Sequence, residues 1–393
     1  MMPEKTAKKN QGAFDKVILV AVLGLIGMGL VMVYSASSAM AVKIYGSDTY
    51  FFKRQLFFAL TGLVFLFSVR YIPYRVYQVL AYPILGLSVL LLGLLLVPGI
   101  GVNVGGATRW MRVGPINIQP AEIMRLAIII YMAYSLTKKG EKMKDFSVGI
   151  VPHLFLMGLI GGLFYFQPDF GSFAMLVFVI GIMLFAGGAH IGHLGGLVAL
   201  AGLVGFKLLM SEGYRRNRIA AFLNPWENQM GDGYQITHSL MAFGTGGYSG
   251  VGVGNGYQKL FYLPEPHTDF IFSVLGEEMG LIGVGIVVGL FALLVWRGLA
   301  IAQRAPAGFA RLLAFGITTS IGLQACLNMA VTTNLLPTKG LALPFISYGG
   351  SSLLINMISI GILENIAYAH PASPGARAPF FGRLVFWKRR AVA

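Results

Sequence analysis

Long apolar stretches alternate with short polar or glycine-rich connections along this 393-residue chain. A helix crosses the hydrocarbon of a bilayer in roughly 20 apolar residues. The pattern predicts ten such spans, at about 16–36, 52–69, 77–98, 121–136, 148–166, 170–187, 190–210, 270–296, 310–331 and 348–369. The expected fold class is an all-α integral membrane protein of about ten transmembrane helices. Polar tails at 1–15 and 370–393 flank a polytopic region at 16–369. The first apolar stretch runs past the length of a signal-peptide core without a small-residue cleavage site, so no cleavable signal is expected.

The connections are mostly short, with one exception at about 211–268. That segment holds Tyr214, Phe222, Trp226, Tyr234, Phe243, Tyr248, Tyr257, Phe261 and Tyr262. Rings with polar tips suit a membrane interface, so short interfacial helices and turns are expected there. A second connection, about 99–120, is broken by Gly and Pro, with Trp110, Arg109 and Arg112 marking an interface. The run Gly244–Gly256 is too glycine-rich for an ordinary linker. No βαβ unit precedes a helix here, so a dinucleotide loop is rejected; close backbone approach is the better account.

Composition agrees, with 56% apolar and 11% charged residues and a mean hydropathy of +0.72. The net charge of +15 would suggest nucleic acid in a soluble protein. Here most of the 30 Lys and Arg fall in segments on the side of the N-terminus, among them Lys138, Lys139, Arg304 and Lys388. That is the positive-inside bias. It predicts both termini in the cytoplasm, the 211–268 loop outside, and no nucleic-acid partner. Cys326 is the only cysteine and falls in an apolar span, so it reads as a buried structural thiol.

Fifteen acids exist, and six lie in or at the edge of spans: Glu122, Asp169, Asp269, Glu277, Glu278 and Glu364. Ionisable groups there are costly and mark function or ion pairing. Asp269 closes the stiff, polar Leu263-Pro264-Glu265-Pro266-His267-Thr268 segment just before a long span. Glu122 and Arg125 follow Gln119-Pro120 at i,i+3, hence on one helix face. They read either as a structural salt bridge or as a phosphate site, since a guanidinium fork suits phosphate oxygens. Asp169 reads first as a helix N-cap. Glu277 lies about two turns beyond Asp269, so it either lines the same cavity or pairs with a neighbouring cation. Arg215, Arg216 and Arg218 form the densest outer cationic cluster, with Lys259 and Lys339 further along; lipid phosphates are their ordinary partners. The histidines form no cluster that demands a metal.

These motifs together resemble the SEDS family of bacterial cell-wall glycosyltransferases. The resemblance runs from Gly29-Leu30-Val31-Met32-Val33-Tyr34-Ser35 to about residue 369 and includes Pro-Glu-Pro-His-Thr-Asp-Phe-Ile-Phe-Ser at 264–273. The family pattern Gln-Pro-Ser/Ala-Glu-x-x-Lys is met at 119–125 with Arg125 in place of lysine. Asn334–Gly340 and Leu343–Ser352 look like the division-type branch. The resemblance implies polymerisation of lipid II into β-1,4 glycan strands at the outer face of the bacterial cytoplasmic membrane, at the division septum. It implies Asp269 as general base. It makes Arg125, Arg215, Arg216, Arg218 and Lys339 contacts for departing undecaprenyl pyrophosphate, with Glu122, Asp169, Lys259 and Glu277 also at the substrate. The implied partners are a class B penicillin-binding protein, a septal transpeptidase, and other divisome membrane proteins. No cofactor is certain from the resemblance; a divalent cation, Mg or Mn, between pyrophosphate and an Asp or Glu is left open. A lipid II flippase and a non-catalytic divisome scaffold are the alternatives from other functional classes.

Overall fold

A computed structural model describes residues 14–104, 107–114, 116–211, 220–229, 231, 233–260 and 262–369. Arg215, Arg216 and Arg218 lie outside the described residues, as do most of the N-terminal tail and all of the C-terminal one. The helices are α1 (Lys16–Tyr45), α2 (Tyr50–Arg70), α3 (Tyr74–Val79), α4 (Ala81–Leu94), α5 (Pro120–Lys139), α6 (Val151–Phe166), α7 (Phe170–Ala186), α8 (Ile191–Ser211), α9 (Tyr234–Gly246), α10 (Ile271–Arg304), α11 (Phe309–Thr332) and α12 (Gly350–Ala369). Among the described residues, six segments are long and apolar enough to cross a membrane: α1, α2, Phe146–Phe166, α10, α11 and α12. Ala81–Leu94, Phe170–Ala186 and Ile191–Leu203 are shorter apolar helices.

Helix α5 lies among α4, α7, α11 and α12 and is buried along most of its length. A helix walled by protein rather than lipid can carry charge, because its polar groups find partners inside the bundle. Small residues let the helices approach. A Cβ on Gly62 of α2 would strike Met357 of α12, and one on Gly361 of α12 would lie 2.8 Å from Leu66 O. Such contacts replace the hydrophobic drive that is weak between helices in lipid.

Two features of the backbone depart from the sequence reading. The 99–120 connection folds into an antiparallel meander, β1 (Gly101–Val104), β2 (Ala107–Val113) and β3 (Ile116–Ile118). Met111 opposes both Gly101 and Ile118. Its strands are too short, and too interrupted by Gly and Pro, to show a period. Ser351 accepts from Gln119 N at 3.2 Å and donates to Asn117 O at 3.1 Å, fastening the sheet to the start of α12. Cys326 is exposed on α11 rather than buried.

The second departure is a break in α10. Gly280 has φ 62° and ψ −162°, which divides the helix into 271–279 and 281–304. A break frees backbone groups that hydrocarbon cannot satisfy. The glycine-rich run after α9 satisfies them: Val251 N and Gly252 N donate to Glu277 O and Glu278 O, each at 3.0 Å, and Leu281 N and Ile282 N donate to Gly247 O and Tyr248 O at 2.9 and 3.1 Å. A Cβ on Gly250 or Gly280 would collide with the opposing backbone, so the close approach expected of this run has a specific surface.

At the far end of the bundle from Asp269, Asp15 caps α1 and lies 2.6 Å from Arg297 Nε. Its N–H donates to Glu364 Oε2 at 3.0 Å. Glu364 therefore belongs to a structural charge cluster.

Candidate active site around Asp269

Asp269 sits at the entrance to α10, half-buried, on a loop laced to the segment that precedes α12. Asn328 of α11 donates through Nδ2 to both Asp269 O, at 2.8 Å, and Leu341 O, at 2.6 Å. Ser347 Oγ donates to Thr268 O at 2.6 Å, and Tyr348 N to His267 O at 2.9 Å. The His267 ring is buried against Phe51 and Tyr348, with centroids 4.6 and 5.5 Å away. Burial lowers that imidazole to about 4, so it packs as a neutral wedge. The Asp269 backbone is thus fixed from two sides while its side chain stays within reach of water. Gly340 faces the carboxylate: a Cβ there would stand 3.0 Å from Asp269 Oδ2.

The carboxylate is electrostatically unusual. Burial pushes it up to about 6 from an ordinary 3.8, nearby Glu265 adds to the rise, and Arg109 opposes it. Arg109, on β2, also lies 3.8 Å from Asp169 Oδ1 through Nε and donates through Nη2 to Pro168 O at 2.6 Å. One half-exposed guanidinium therefore serves both Asp169 and Asp269. Sequence reasoning noticed Arg109 only as an interface marker, because nothing in its spacing shows that a meander swings it over two distant acids. Asp169 caps α7, accepting from Ser172 N at 3.3 Å, in keeping with its reading as an N-cap.

Glu122 and Arg125 meet at 2.7 Å, and Pro120 opens α5 as its first residue. Arg125 is buried and donates through Nη2 to Asn356 Oδ1 at 3.0 Å. The pair lines a narrow cleft of about 20 Å³, together with Ser172, Leu176, Gln324 and Leu341. Since Leu341 follows Gly340, the cleft opens one residue from the Asp269 carboxylate. Lys339 is exposed, yet surrounding protein lowers its ammonium below the ordinary 10.5.

Two expected site residues lie elsewhere. Lys259 is buried, with Nζ 2.7 Å from Glu278 Oε1 and donating to Ser35 Oγ at 2.8 Å and Gly254 O at 2.7 Å. Its charge is consumed inside the protein, so it is no headgroup contact. Glu277, fully buried, accepts from Tyr257 N at 2.9 Å and Gln258 N at 3.2 Å. The helical face that relates it to Asp269 ends in a glycine-rich loop rather than in the cleft. Among the described residues no three of His, Cys, Asp or Glu converge as metal ligands. A divalent ion there would need oxygens from the substrate.

The arrangement can take a proton at Asp269 and stabilise negative charge with Arg109, Arg125 and Lys339. Residues 16–371 match the sequence model of the family described as "Cell cycle protein", which spans FtsW, RodA and SpoVE. A probable peptidoglycan glycosyltransferase FtsW from Geobacter metallireducens is 48% identical over 361 residues, 92% of this chain and 96% of that one. Stage V sporulation protein E of Bacillus subtilis is 40% identical over 364 residues, 92% and 98% of the two chains. Among solved structures, one chain of a peptidoglycan synthase complex described as coordinating polymerization and crosslinking superposes with a TM-score of 0.76 at 30% identity, covering 91% of this chain and 98% of that one. The rod shape determining protein RodA of Thermus thermophilus gives 0.64 at 28% identity, covering 92% and 98%.

Proposed function

The chain belongs to the FtsW/RodA/SpoVE family of cell-cycle membrane proteins, and we propose that it is an FtsW-like peptidoglycan glycosyltransferase polymerising lipid II at the division septum. The observation that carries the chemistry is a half-buried carboxylate, raised to about 6, that faces Gly340 and is opposed by the Arg109 guanidinium. A general base works best when its pKa lies near the operating pH. Asp269 meets that condition while remaining largely ionised at neutral pH.

In the proposed step the 4-hydroxyl of a GlcNAc acceptor attacks C1 of a MurNAc donor. The O4–C1 bond forms as the C1–O bond to undecaprenyl pyrophosphate breaks, and the hydroxyl proton passes to Asp269. Inversion turns an α-linked donor into a β-1,4 product. Arg109, Arg125 and Lys339 stabilise charge on the departing pyrophosphate as preorganised cations. Glu122 holds Arg125, and Asp169 holds Arg109. Arg215, Arg216 and Arg218 remain headgroup contacts on sequence grounds alone.

The positive-inside pattern places this chemistry outside the cytoplasmic membrane with both termini inside. A class B penicillin-binding protein is the proposed partner, in line with the synthase complex to which the fold is similar. The test is purified protein with lipid II, with and without that transpeptidase, assayed for glycan strands. Strands from wild type that vanish with Asp269→Asn support the reading. Lipid II translocation by wild type without any polymer in either condition refutes it.

A further inference from the structure

The buried Lys259–Glu278 pair is used by neither the proton transfer nor the leaving group, yet a buried ion pair is costly to form. Its geometry gives it a task. The two residues are 19 apart in sequence, and Asp269 lies near the midpoint of the segment they enclose. Glu278 sits at the end of the first half of α10, one residue before the helix stops and two before Gly280. Its carboxylate accepts from Lys259 Nζ and Ser35 Oγ, each at 2.7 Å, and from Gly254 N at 3.1 Å. Glu277 beside it holds the amides of Tyr257 and Gln258. The backbone of 247–252 is paired across the helix break. Both ends of the Asp269 loop are therefore tied to one body: the approach through the glycine-rich run, and the exit through 271–279.

We propose that Lys259 and Glu278 are positioning residues whose ion pair, seated on Ser35 of α1, closes the loop that presents Asp269. Closing a loop removes conformational freedom from everything inside it. A reacting carboxylate gains from that because small displacements of a base are expensive in rate. The helix break serves the same end. It lets the 247–252 segment pair directly with α10, which an unbroken helix, its backbone groups already satisfied, would not permit. The inference rests on Asp269 as the base, although the clasp itself is a statement about the loop.

The full-length protein with Lys259→Met/Glu278→Gln tests it. The double variant removes the clasp without leaving a lone buried charge, the main hazard of either single change. Amide exchange in 264–270 should accelerate at least about tenfold while helix amides hold, because only a local opening has been made easier. Strand synthesis should lose about 10–100-fold in kcat with KM for lipid II little changed. The acid limb of the pH profile should move to lower pH as water reaches a carboxylate otherwise set by burial, Glu265 and Arg109.

Wild-type exchange and wild-type kcat in the double variant would overturn the proposal. So would collapse of the fold in this variant and in Glu278→Gln alone, which would make the pair a folding element only. If wild type makes no strands at all, the functional reading fails. The exchange measurement then decides the clasp by itself.

Discussion

The pH dependence of strand synthesis is where the geometry of Asp269 makes its sharpest demand. With the carboxyl at about 6, roughly a tenth of the protein carries an ionised base at pH 5 and roughly nine-tenths at pH 7. Rate should therefore climb about tenfold across those two units, whereas a base at its ordinary 3.8 would be nearly saturated at pH 5 and give an almost flat profile. The pyrophosphate of the substrate can also titrate in this region, so a limb alone proves nothing. The neighbours discriminate. Glu265 raises the Asp269 value, so Glu265→Gln should move the limb to lower pH. Arg109 lowers it, so Arg109→Gln should move the limb to higher pH.

Neither substitution alters the ionisation of lipid II itself. The assay is kcat/KM for lipid II between pH 4.5 and 8, followed by gel separation of labelled strands, because that ratio reports groups of the free enzyme. Opposite displacements in the two variants assign the limb to Asp269. A limb that stays in place in both would refute Asp269 as the titrating base.

Linkage gives a second, activity-free consequence. A carboxyl whose folded value lies above its unfolded one adds stability that is fully present below about 3.8 and is lost as pH rises through about 6. Asp269→Asn should therefore raise the Tm at pH 7–8 relative to wild type, with the gain disappearing near pH 4; a lower Tm at pH 7.5 would contradict the burial argument. Gly340→Ala places a methyl 3.0 Å from Asp269 Oδ2 and should cost about 10–100-fold in kcat at normal abundance, read by single-turnover synthesis. Exchanging Glu122 and Arg125 preserves the pair but moves the guanidinium away from Asn356, so protein level should be retained and strand synthesis lost; full activity would exclude Arg125 from substrate contact. Cysteine at exposed Gly231, in a Cys326→Ala background, should react with an impermeant maleimide in intact spheroplasts, and labelling only after permeabilisation would overturn the topology.

The helical framework was legible because lipid imposes a length on every span, and length survives in composition. The expected starts at 16, 52, 121, 170, 270 and 310 lie within two residues of observed helix starts. Pro120 and Asp169 act locally, as first helical residue and N-cap, so their roles could be read without the fold. The 99–120 meander could not. Its stability comes from pairing and from Ser351, more than two hundred residues away, and strands of three to seven residues leave little period of their own. Arg109 was missed with it, for the same reason.

The glycine-rich run shows where the boundary falls. Its composition demanded close backbone approach, and that is what occurs, but composition is silent on which backbone. The partner is a helix that breaks at Gly280, and a lone glycine in an apolar run carries no mark of a break. Once the break is seen, the charges of this region sort themselves. Lys259, Glu277 and Glu278 go to the seam, where unsatisfied groups must be paired, while Arg125 lines the cleft and Asp269, Arg109 and Lys339 stand apart from the seam. Helical spacing put Glu277 on the face of Asp269, and charge on the outer side put Lys259 among the headgroup cations. The structure separates them by what each carboxylate touches: backbone amides and an ammonium at the seam, and a half-open space at Asp269. A seam group that is fully hydrogen-bonded has no capacity left for a substrate. The carboxylate with capacity to spare is Asp269, half-buried and facing Gly340.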